Sequence, residues 1–479
     1  MTIEEILALG DFKLIVEKLA VETVAGRTPQ IYRDEYEGKR ERRESSVDNR
    51  PNKSITVYSE TETDKDGNPA VTGTDTVSVA KIRTNVPKKI VRTATAFLFG
   101  GEMNVAFDKV DEATAYFKTT FADKLKMSSV FNQFARTVMI ETKSALVFFP
   151  KTVVVDGKTE VQVGVRVLSV ANGEFYPHFD NYGDMDAFMR KYKALDETGV
   201  ERDYIWIQTA DKEITTVDIG GVYATTEQPN LSKKITVVYA EQNEPEWEDI
   251  TTSMDALEMR LSRLVDTNDY FSEPILKSFG QSALPSKNTV GKELEFSLEV
   301  DPDTGKTYHG DAEYLVWQQS IESTKLEIDE HKNVIFSGTS TPDLSFENLK
   351  GINNISGIGM KFMFLDAFIK AAEKREIFGP AVQRSVSVVK AMISNVAQTK
   401  FANALKDNAI KVTFRSILPD DLKELVEVLV KANGDKPLNS QETITAQSPF
   451  TTDTAEEMKK LQDEAAAESG RNSLIGNTL

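Results

Sequence analysis

The chain has 479 residues and a formal net charge of −18, from 57 Lys and Arg against 75 Asp and Glu. It contains no Cys and three His, which excludes disulfides, thiolate metal sites and cysteine nucleophiles and leaves little material for a histidine-based triad or zinc site. Because the chain is strongly acidic, it cannot neutralise DNA phosphates over its whole surface. A DNA partner would therefore be held at a few points or would slide past. We therefore expect no enzyme, no cofactor and no metal centre.

Neither a membrane span nor a signal peptide is predicted. The longest apolar stretch, 358–369, is interrupted by Lys361 and Asp366 and is too short to cross a bilayer. The N-terminus begins acidic and lacks the basic-then-apolar order of a signal peptide. The sequence therefore predicts a soluble protein made in the cytosol.

The N-terminal part predicts helices, an exposed arm and a hairpin. Apolar residues from 3 to 24 recur at helical spacing, with an interruption near Gly10. Charges of both signs alternate over 34–53, so we expect no core there and an exposed arm. The remaining predicted elements of this part are strands at 54–60 and 71–79 around a turn at 66–69, and helices at 87–99, 111–125 and 128–143.

From Ala145 the hydrophobic period changes to two. Valines at 161, 163, 165 and 167 alternate with polar residues, as a half-buried strand requires. Further strands are predicted at 204–208, 214–219 and 235–239. Helices followed by a strand-rich region indicate an α+β fold.

Two narrow apolar seams mark the centre of the chain. The first, with spacings of 3, 4, 3, 4 and 3, consists of Met254, Leu257, Leu261, Leu264, Asn268 and Phe271. The opposite face of that helix is charged and holds Asp255, Glu258, Arg260, Arg263, Asp266 and Asp269. The second seam consists of Trp317, Ile321, Thr324, Ile328, His331 and Ile335. Narrow seams are typical of helix-on-helix packing, and the short strands and turn predicted over 275–312 make the unit a helical stalk with a small α/β insert.

A long loop and a long helix follow. Residues 337–357 lack apolar periodicity, and a loop of this length in a compact region is usually functional or disordered. A helical pattern then runs from 358 to about 398, with a kink predicted at Pro380 because proline cannot donate to the preceding turn. A strand at 410–414, helices at 422–430 and 454–467, and a disordered tail complete the chain.

No catalytic or ligand motif is convincing. A phosphate-binding P-loop is absent, which makes an ATPase motor in this chain unexpected. The glycine pair Gly357 and Gly359 is better explained by the start of a helix than by a nucleotide site. A plain turn explains Asp301, Asp303 and Gly305 better than a calcium loop does. His331 and Trp317 are best read as interface residues.

Four segments, in this order, resemble the portal proteins of tailed double-stranded DNA phages, particularly the siphophage type. They are VAKIRTNVPKKIVRTATAFLFGGEMNVAF, NEPEWEDITTSMDALEMRLSRLVDTNDYFSEPIL, YLVWQQSIESTKLEIDEHKNVIFSGTSTPDLS and NISGIGMKFMFLDAFIKAAEKREIFGPAVQRSV. The resemblance covers about residues 80–467, and the arm and hairpin at 27–79 are its least familiar part.

The resemblance implies a division of the chain into the parts of a portal subunit. These are a wing (1–252), a first stem helix (253–272), a clip (273–313), a second stem helix (314–336), a tunnel loop (337–357), a long kinked wing helix (358–405), a helical crown (406–467) and a disordered tail (468–479). It also implies three sets of site residues. The tunnel loop would place Ser337, Thr339, Ser345, Asn348, Lys350, Asn353 and Asn354 in a DNA channel. The stem would use Leu257, Leu261, Leu264, Trp317, Ile321 and Ile328 between subunits, and the clip would dock partners through Lys287, Lys292 and Lys306.

A portal implies a dodecameric ring at one capsid vertex, assembled in the host cytoplasm, through which double-stranded DNA passes during packaging and ejection. The implied partners are further copies of the chain, the terminase large subunit, a head-completion adaptor, and the major capsid and scaffolding proteins, with no membrane. The alternative is a non-portal structural adaptor protein in which the two seams form an ordinary helical hairpin.

Overall fold

The computed structural model describes residues 2–20, 29–39, 47–63, 65, 69–155, 157–271, 275–279, 298–300, 302–309, 311–315, 321–343, 357–415, 417, 422–434, 438–448, 450–451 and 454–476. Helices and strands mix along the chain, which confirms the α+β class. The helices are α1 (Ile3–Leu7), α2 (Phe12–Leu19), α3 (Pro29–Glu37), α4 (Val86–Phe99), α5 (Glu112–Lys118), α6 (Met127–Glu141), α7 (Thr251–Phe271), α8 (Ile321–Gly338), α9 (Gly357–Met363), α10 (Leu365–Met392), α11 (Ala402–Lys406), α12 (Leu422–Ala432), α13 (Gln441–Gln447) and α14 (Thr454–Gly476).

The strands form several antiparallel sheets. They are β1 (Lys53–Thr63), β2 (Pro69–Val77), β3 (Met103–Phe107), β4 (Lys143–Val155), β5 (Lys158–Leu168), β6 (Glu174–Phe179), β7 (Met185–Leu195), β8 (Glu201–Thr209), β9 (Lys212–Ile219), β10 (Val222–Pro229), β11 (Val237–Glu241), β12 (Ile275–Phe279), β13 (Leu298–Val300), β14 (Thr307–His309), β15 (Asp311–Leu315) and β16 (Ile410–Phe414). The two larger sheets have the orders β10-β9-β8-β7-β6 and β11-β4-β5. The first is covered by α1 and α2, whose apolar faces bury Ile6 and Leu19 against it.

The main core forms around α4, α6 and α10. Phe378 of α10 packs edge-on against Phe99 of α4 and Phe134 of α6, with ring centroids 5.9 Å apart in both pairs. The spacing of apolar residues on α6 explains why this helix is the centre of the core, since Phe131, Phe134 and Val138 recur three and four residues apart and are fully buried.

A strand pair joins distant parts of the chain at this core. β16 pairs antiparallel with β3, with Val412 opposite Val105. Gly101 makes the approach possible, because a Cβ there would lie 1.9 Å from the carbonyl oxygen of Arg415. The first strand of the predicted crown, 406–467, therefore packs with the main body, and the crown as a unit stays a prediction.

Three further predictions differ from the structure. Residues 34–37, predicted to be part of an exposed arm, belong to α3, which buries Tyr32 and Glu35 in the main body. The long helix continues through Pro380, and its interruption lies at Phe364, between α9 and α10; a bend at Pro380 stays a prediction. The tail predicted to be disordered from 468 continues α14 to Gly476, and only 477–479 lie outside the described residues.

The predicted hairpin is present and stands clear of the body. β1 and β2 pair in antiparallel register, with Ile55 opposite Asp75, and almost all of their described side chains are exposed. A two-stranded hairpin is at best marginally stable in water, so its attachment at the base matters.

Candidate functional site

The two predicted stem helices lie side by side. α7 and α8 contact each other along their length and are joined by an ion pair between Arg260 and Glu327. Between them in sequence, β12 pairs with β15 and β13 pairs with β14. Where the sequence predicted a helix, a small α/β insert and a returning helix, the described residues contain a helix, two strand pairs and a returning helix.

The seams of these helices are partly used within the chain itself. Leu257 is 2% exposed and Ile328 is 8% exposed, and both belong to the main core. Leu261 and Leu264 are half-buried at the edge of that core. The predicted interface is therefore narrower than the seam, because Leu257 and Ile328 have no surface left for a second subunit.

Part of the polar side of α7 is covered by residues 79–84, which we call the strap, whereas Arg263 and Asp269 of the charged face stay exposed. Backbone N–H groups of the strap donate to Asp266, Ser262 and Glu258, at 2.7, 2.8 and 2.8 Å respectively. The donors, Ala80, Ile82 and Thr84, are every second residue, whereas the acceptors are every fourth. The two repeats match, because two residues of extended chain advance about 6.6 Å and four helical residues about 6 Å.

Asp266 also fixes the start of the hairpin. Arg50, just before β1, pairs with the second carboxylate oxygen of Asp266 and donates to the carbonyl of Ala80, just after β2. Desolvation alone would raise the pKa of Asp266, but the Ala80 N–H and the Arg50 guanidinium together lower it below its ordinary value. One carboxylate on α7 thus joins both ends of the hairpin to the first stem helix.

The end of α8 is a rigid cap where the sequence predicted the start of a tunnel loop. Thr339 is 5% exposed, and its hydroxyl donates to the carbonyl of Ile335. Ser340 takes the left-handed conformation with φ of 49°, and the N–H of Thr341 returns to the carbonyl of Phe336 at 2.9 Å. The side chain of Thr339, predicted to line a channel, is buried in the cap, whereas Ser337 is exposed. A channel position for either residue stays a prediction.

Two lysines from other helices hold this cap. Lys370 of α10 donates to the carbonyl of Thr339 at 2.9 Å. The ammonium of Lys89 on α4 lies 2.8 Å from a carboxylate oxygen of Asp343 and 3.9 Å from the centre of the Phe336 ring. Cations are favourable at a helix C-terminus because they offset the negative end of the helix dipole, so residues 337–343 are held to the body.

Lys370 also takes part in a buried charge cluster. Glu246 accepts from Lys370 at 2.8 Å and from Lys374 at 2.5 Å, and its side chain is almost fully buried. Burial alone would raise the pKa of Glu246, but the two ammonium groups outweigh it and lower the pKa below its ordinary value. The loop after β11, the long helix α10 and the end of α8 are therefore tied together by one lysine.

A groove of about 1080 Å³ opens between α4, α7, α8 and the start of α10. Its apolar lining includes Leu257, Leu261 and Phe336. Its charged lining comes from Lys89, Lys325, Asp329, Lys332, Asp343 and Asp366.

The remaining predicted site residues are outside these features. Lys306 is exposed in the turn between β13 and β14, and Ile321 is the first residue of α8. The others lie outside the described residues: Trp317, Ser345, Asn348, Lys350, Asn353, Asn354, Lys287 and Lys292.

Sequence reasoning missed the strap and the lysines at the end of α8. The acceptors Glu258, Ser262 and Asp266 do recur every four residues, which could have indicated a covered polar stripe. Nothing in the pattern of 79–84 identifies the segment that covers it. No such signal marks Lys89 or Lys370, which come from helices distant in sequence.

Metal and membrane features are lacking in the part of the chain that the structure describes. It holds no group of three or more Asp, Glu or His placed to bind a metal ion. Among the same residues, no helix is both long and apolar enough to span a bilayer.

The comparison with known families decides the identity. Residues 32–471 match the family described as "Phage portal protein, SPP1 Gp6-like". The chain belongs to this phage portal protein family. Portal proteins are structural, which agrees with the expectation of no enzymatic activity. No curated protein matches the sequence.

Solved structures similar to this portal family member come from gene transfer agent (GTA) particles. "Neck of empty GTA particle computed with C6 symmetry" has a TM-score of 0.42 and 10% identity, and the match covers 77% of this chain and 91% of that one. "Virion of native gene transfer agent (GTA) particle" has a TM-score of 0.36 and 9% identity, with 77% and 90% covered. "Neck of native GTA particle computed with C12 symmetry" has a TM-score of 0.36 and 9% identity, with 76% and 89% covered.

Proposed function

We propose that the chain assembles into a ring, with twelve copies expected, at one vertex of a phage capsid. Double-stranded DNA passes through the central channel of this ring during packaging and ejection. The observation that carries the proposal is the family match over residues 32–471, combined with the paired helices α7 and α8 at the position expected for a stem. The ring is built in the host cytoplasm and remains in the virion.

The stem contributes to contacts between subunits through the part of the seams that the chain leaves accessible. Leu261 and Leu264 of the first seam are half-buried, and α8 adds Leu326 and Val334, which lie outside the second seam and are exposed. Ile321 and Trp317 complete the proposed stem contact. Apolar side chains left exposed on a helix pair are suited to contact with a neighbouring copy.

The channel constriction is formed by the segment that follows the rigid cap. Residues 337–343 are held by Lys89 and Lys370, so the DNA-facing part of the proposed tunnel loop is 344–356, which contains Ser345, Asn348, Lys350, Asn353 and Asn354. Lys350 is its only basic residue. Because binding strength follows the number of neutralised phosphates, such a loop touches DNA without holding it.

The clip presents the docking surface for the terminase large subunit and later for a head-completion adaptor. Lys306 is exposed in a turn, which suits a contact residue, and Lys287 and Lys292 are proposed to act with it. The major capsid and scaffolding proteins contact the ring from the capsid side.

The test combines imaging with a packaging assay. Purified full-length chain should give rings with a central opening wide enough for duplex DNA when imaged down the particle axis. Only monomers or dimers, or particles without an axial opening, would instead favour the structural adaptor alternative.

Two variants separate the parts of the proposal. Shortening the segment 344–356 should reduce packaged or retained DNA while rings still form, and unchanged packaging would refute its channel role.

Charge reversal at Lys287, Lys292 and Lys306 should weaken terminase binding, with Lys65→Glu in the exposed hairpin as the matched control. Normal terminase binding would remove these side chains from the proposal.

A further inference from the structure

A small cavity opens where the two larger sheets meet the end of α10. It has a volume of about 170 Å³, below the range of about 300–1,000 Å³ that is typical of sites for drug-sized ligands. Strands β4, β8, β9 and β10, residues 230–232 and Met392 of α10 supply most of its lining. A cavity of this size is suited to a single side chain or a ligand of similar bulk.

The cavity carries one charge, and that charge is negative. Among the described residues that line it, Glu213 is the only charged one. In the same part of the chain, Glu213 forms no ion pair, since the adjacent Lys212 pairs with Glu227 at 3.2 Å instead. A carboxylate that is partly withdrawn from water is normally paired with a cation, so the cavity is complementary to a positively charged group.

The carboxylate of Glu213 is held in place by two donors. Nε2 of Gln208 donates to one oxygen at 2.8 Å, and Nε1 of Trp206 donates to the other at 3.4 Å. Gln208 is fully buried and is itself fixed, because its amide oxygen accepts from the N–H of Thr236 at 2.9 Å. A carboxylate oxygen has two acceptor sites, so each oxygen of Glu213 retains one. This pair of acceptor sites matches the two parallel N–H groups of a guanidinium.

The apolar lining favours a guanidinium over an ammonium. Trp206, Phe149 and Pro150 line the same cavity as the carboxylate. A guanidinium is weakly hydrated and stacks on aromatic rings, whereas an ammonium is a compact and strongly hydrated charge. The methylene stem of an arginine also packs well along apolar surface.

Exposed apolar side chains border the cavity and favour a protein as the source of the guanidinium. Phe149 and Leu231 both line the cavity and are 39% and 63% exposed. A free guanidino compound would fill the cavity but would leave most of both side chains in water. A protein chain that inserts an arginine would cover them as well.

We propose that this cavity is a docking site for a partner protein chain that projects an arginine, whose guanidinium pairs with both carboxylate oxygens of Glu213. The proposal goes beyond the ring described above and does not depend on it, because the whole cavity lies within one chain.

Titration of the full-length chain with two small probes tests the site. Trp206 lies in the cavity, so n-butylguanidinium should change the tryptophan fluorescence in a saturable way. The probe n-butylurea has nearly the same shape but no charge, and it should bind at least about tenfold more weakly because it lacks the charge-assisted hydrogen bonds. Equal affinity for both probes, or no saturable response to either, would overturn the proposal.

Two variants assign the response to one carboxylate. Glu213→Gln should lose at least about tenfold in affinity for n-butylguanidinium, because the bidentate ion pair is removed. Glu227→Gln removes an exposed carboxylate from the adjacent strand β10 and should bind the probe as the wild type does. An equal loss in both variants would mean that the general surface charge holds the probe, which would refute the site.

A peptide separates the two sources of the guanidinium. Acetyl-Gly-Arg-Gly-amide should bind at least as tightly as n-butylguanidinium, since its backbone can contact Phe149 and Leu231. Binding of n-butylguanidinium without binding of the peptide would assign the cavity to a free guanidino compound and overturn the protein partner. None of these measurements requires a ring, so their failure is distinguishable from a failure of the proposed function.

Discussion

Arg50 and Asp266 meet where the exposed hairpin joins the first stem helix. Their ion pair is accompanied by a 2.7 Å hydrogen bond from the Ala80 N–H to the same carboxylate. The described hairpin strands are almost fully exposed, so the orientation of the hairpin depends on the contacts at its base, to which Asp266 contributes both of these bonds. A hairpin held firmly at its base moves together with α7.

Asp266→Asn tests this attachment. The amide retains one acceptor for the Ala80 N–H but leaves the Arg50 guanidinium without its counter-charge, so the free energy of unfolding should fall by about 2 kcal/mol. Hydrogen exchange should accelerate over the strap, 79–84, and at the hairpin base. Glu330→Gln, an exposed change on α8, serves as the control and should alter neither; equal exchange in both variants would contradict the role of Asp266.

Phe378→Ala tests the main core. The ring is buried between Phe99 and Phe134, so truncation should lower the free energy of unfolding by about 3–5 kcal/mol through lost burial and the cavity left behind. Phe450→Ala removes an equally large ring from an exposed position and should cost little. Urea denaturation of both variants checks this, and a small loss for Phe378→Ala would mean that the core collapses around the gap.

Glu246→Gln tests the charge cluster through its pH dependence. The pKa of Glu246 is lowered in the folded chain, so the folded state binds its proton less readily than the unfolded state does. The stabilisation is therefore complete above the ordinary carboxyl value of about 4.3 and is lost as the pH falls through the lowered pKa.

Urea denaturation at pH 7 and at about pH 3 should consequently show a smaller loss of stability in acid for Glu246→Gln than for the wild type. The variant should also be less stable at pH 7, because Lys370 and Lys374 lose their counter-charge. The control variant Glu330→Gln should lose as much stability between the two pH values as the wild type does. Parallel acid profiles for wild type and Glu246→Gln would show that other carboxylates dominate.

Pro380→Ala tests whether the long helix carries strain. α10 continues through this proline although it cannot donate to the carbonyl four residues earlier. Alanine should restore that bond and raise the free energy of unfolding by about 1–3 kcal/mol. Gly379→Ala, where a Cβ would meet nothing within 4 Å, is the matched neighbour and should gain about 1 kcal/mol. A loss of stability in Pro380→Ala alone would mean that packing depends on a bend at this proline.

Local patterns predicted most of the elements. Apolar residues at every second position identified β5. Two short strand patterns on either side of a turn identified the hairpin. Apolar positions three and four residues apart identified α6 and the stem helices α7 and α8, and the proline and glycines at its two ends identified α4. These predictions succeeded because each depends on neighbours within one element, and one buried face imposes its period on the sequence.

The errors arose where distant segments satisfy each other. The alternating charges of 34–53 predicted an exposed arm, yet Glu35 is buried and accepts from the indole N–H of Trp247. The neighbouring Arg33 pairs with buried Glu141. Thr339 was predicted to be a channel residue because no local pattern shows that Lys370 caps the end of its helix. Similarly, Asp266 and Ser262 of α7 are covered by a strap that lies nearly two hundred residues earlier in the chain.

The pairing of β3 with β16 has a consequence for biosynthesis. The hydrogen bond from the N–H of Asp108 to the side chain of Asn408 spans 300 positions, and β16 supplies apolar residues to the main core. A nascent chain emerging from the ribosome cannot complete this core until Phe414 has been translated. The stem helices are made well before that moment, so they leave the ribosome before the body that carries them can finish folding.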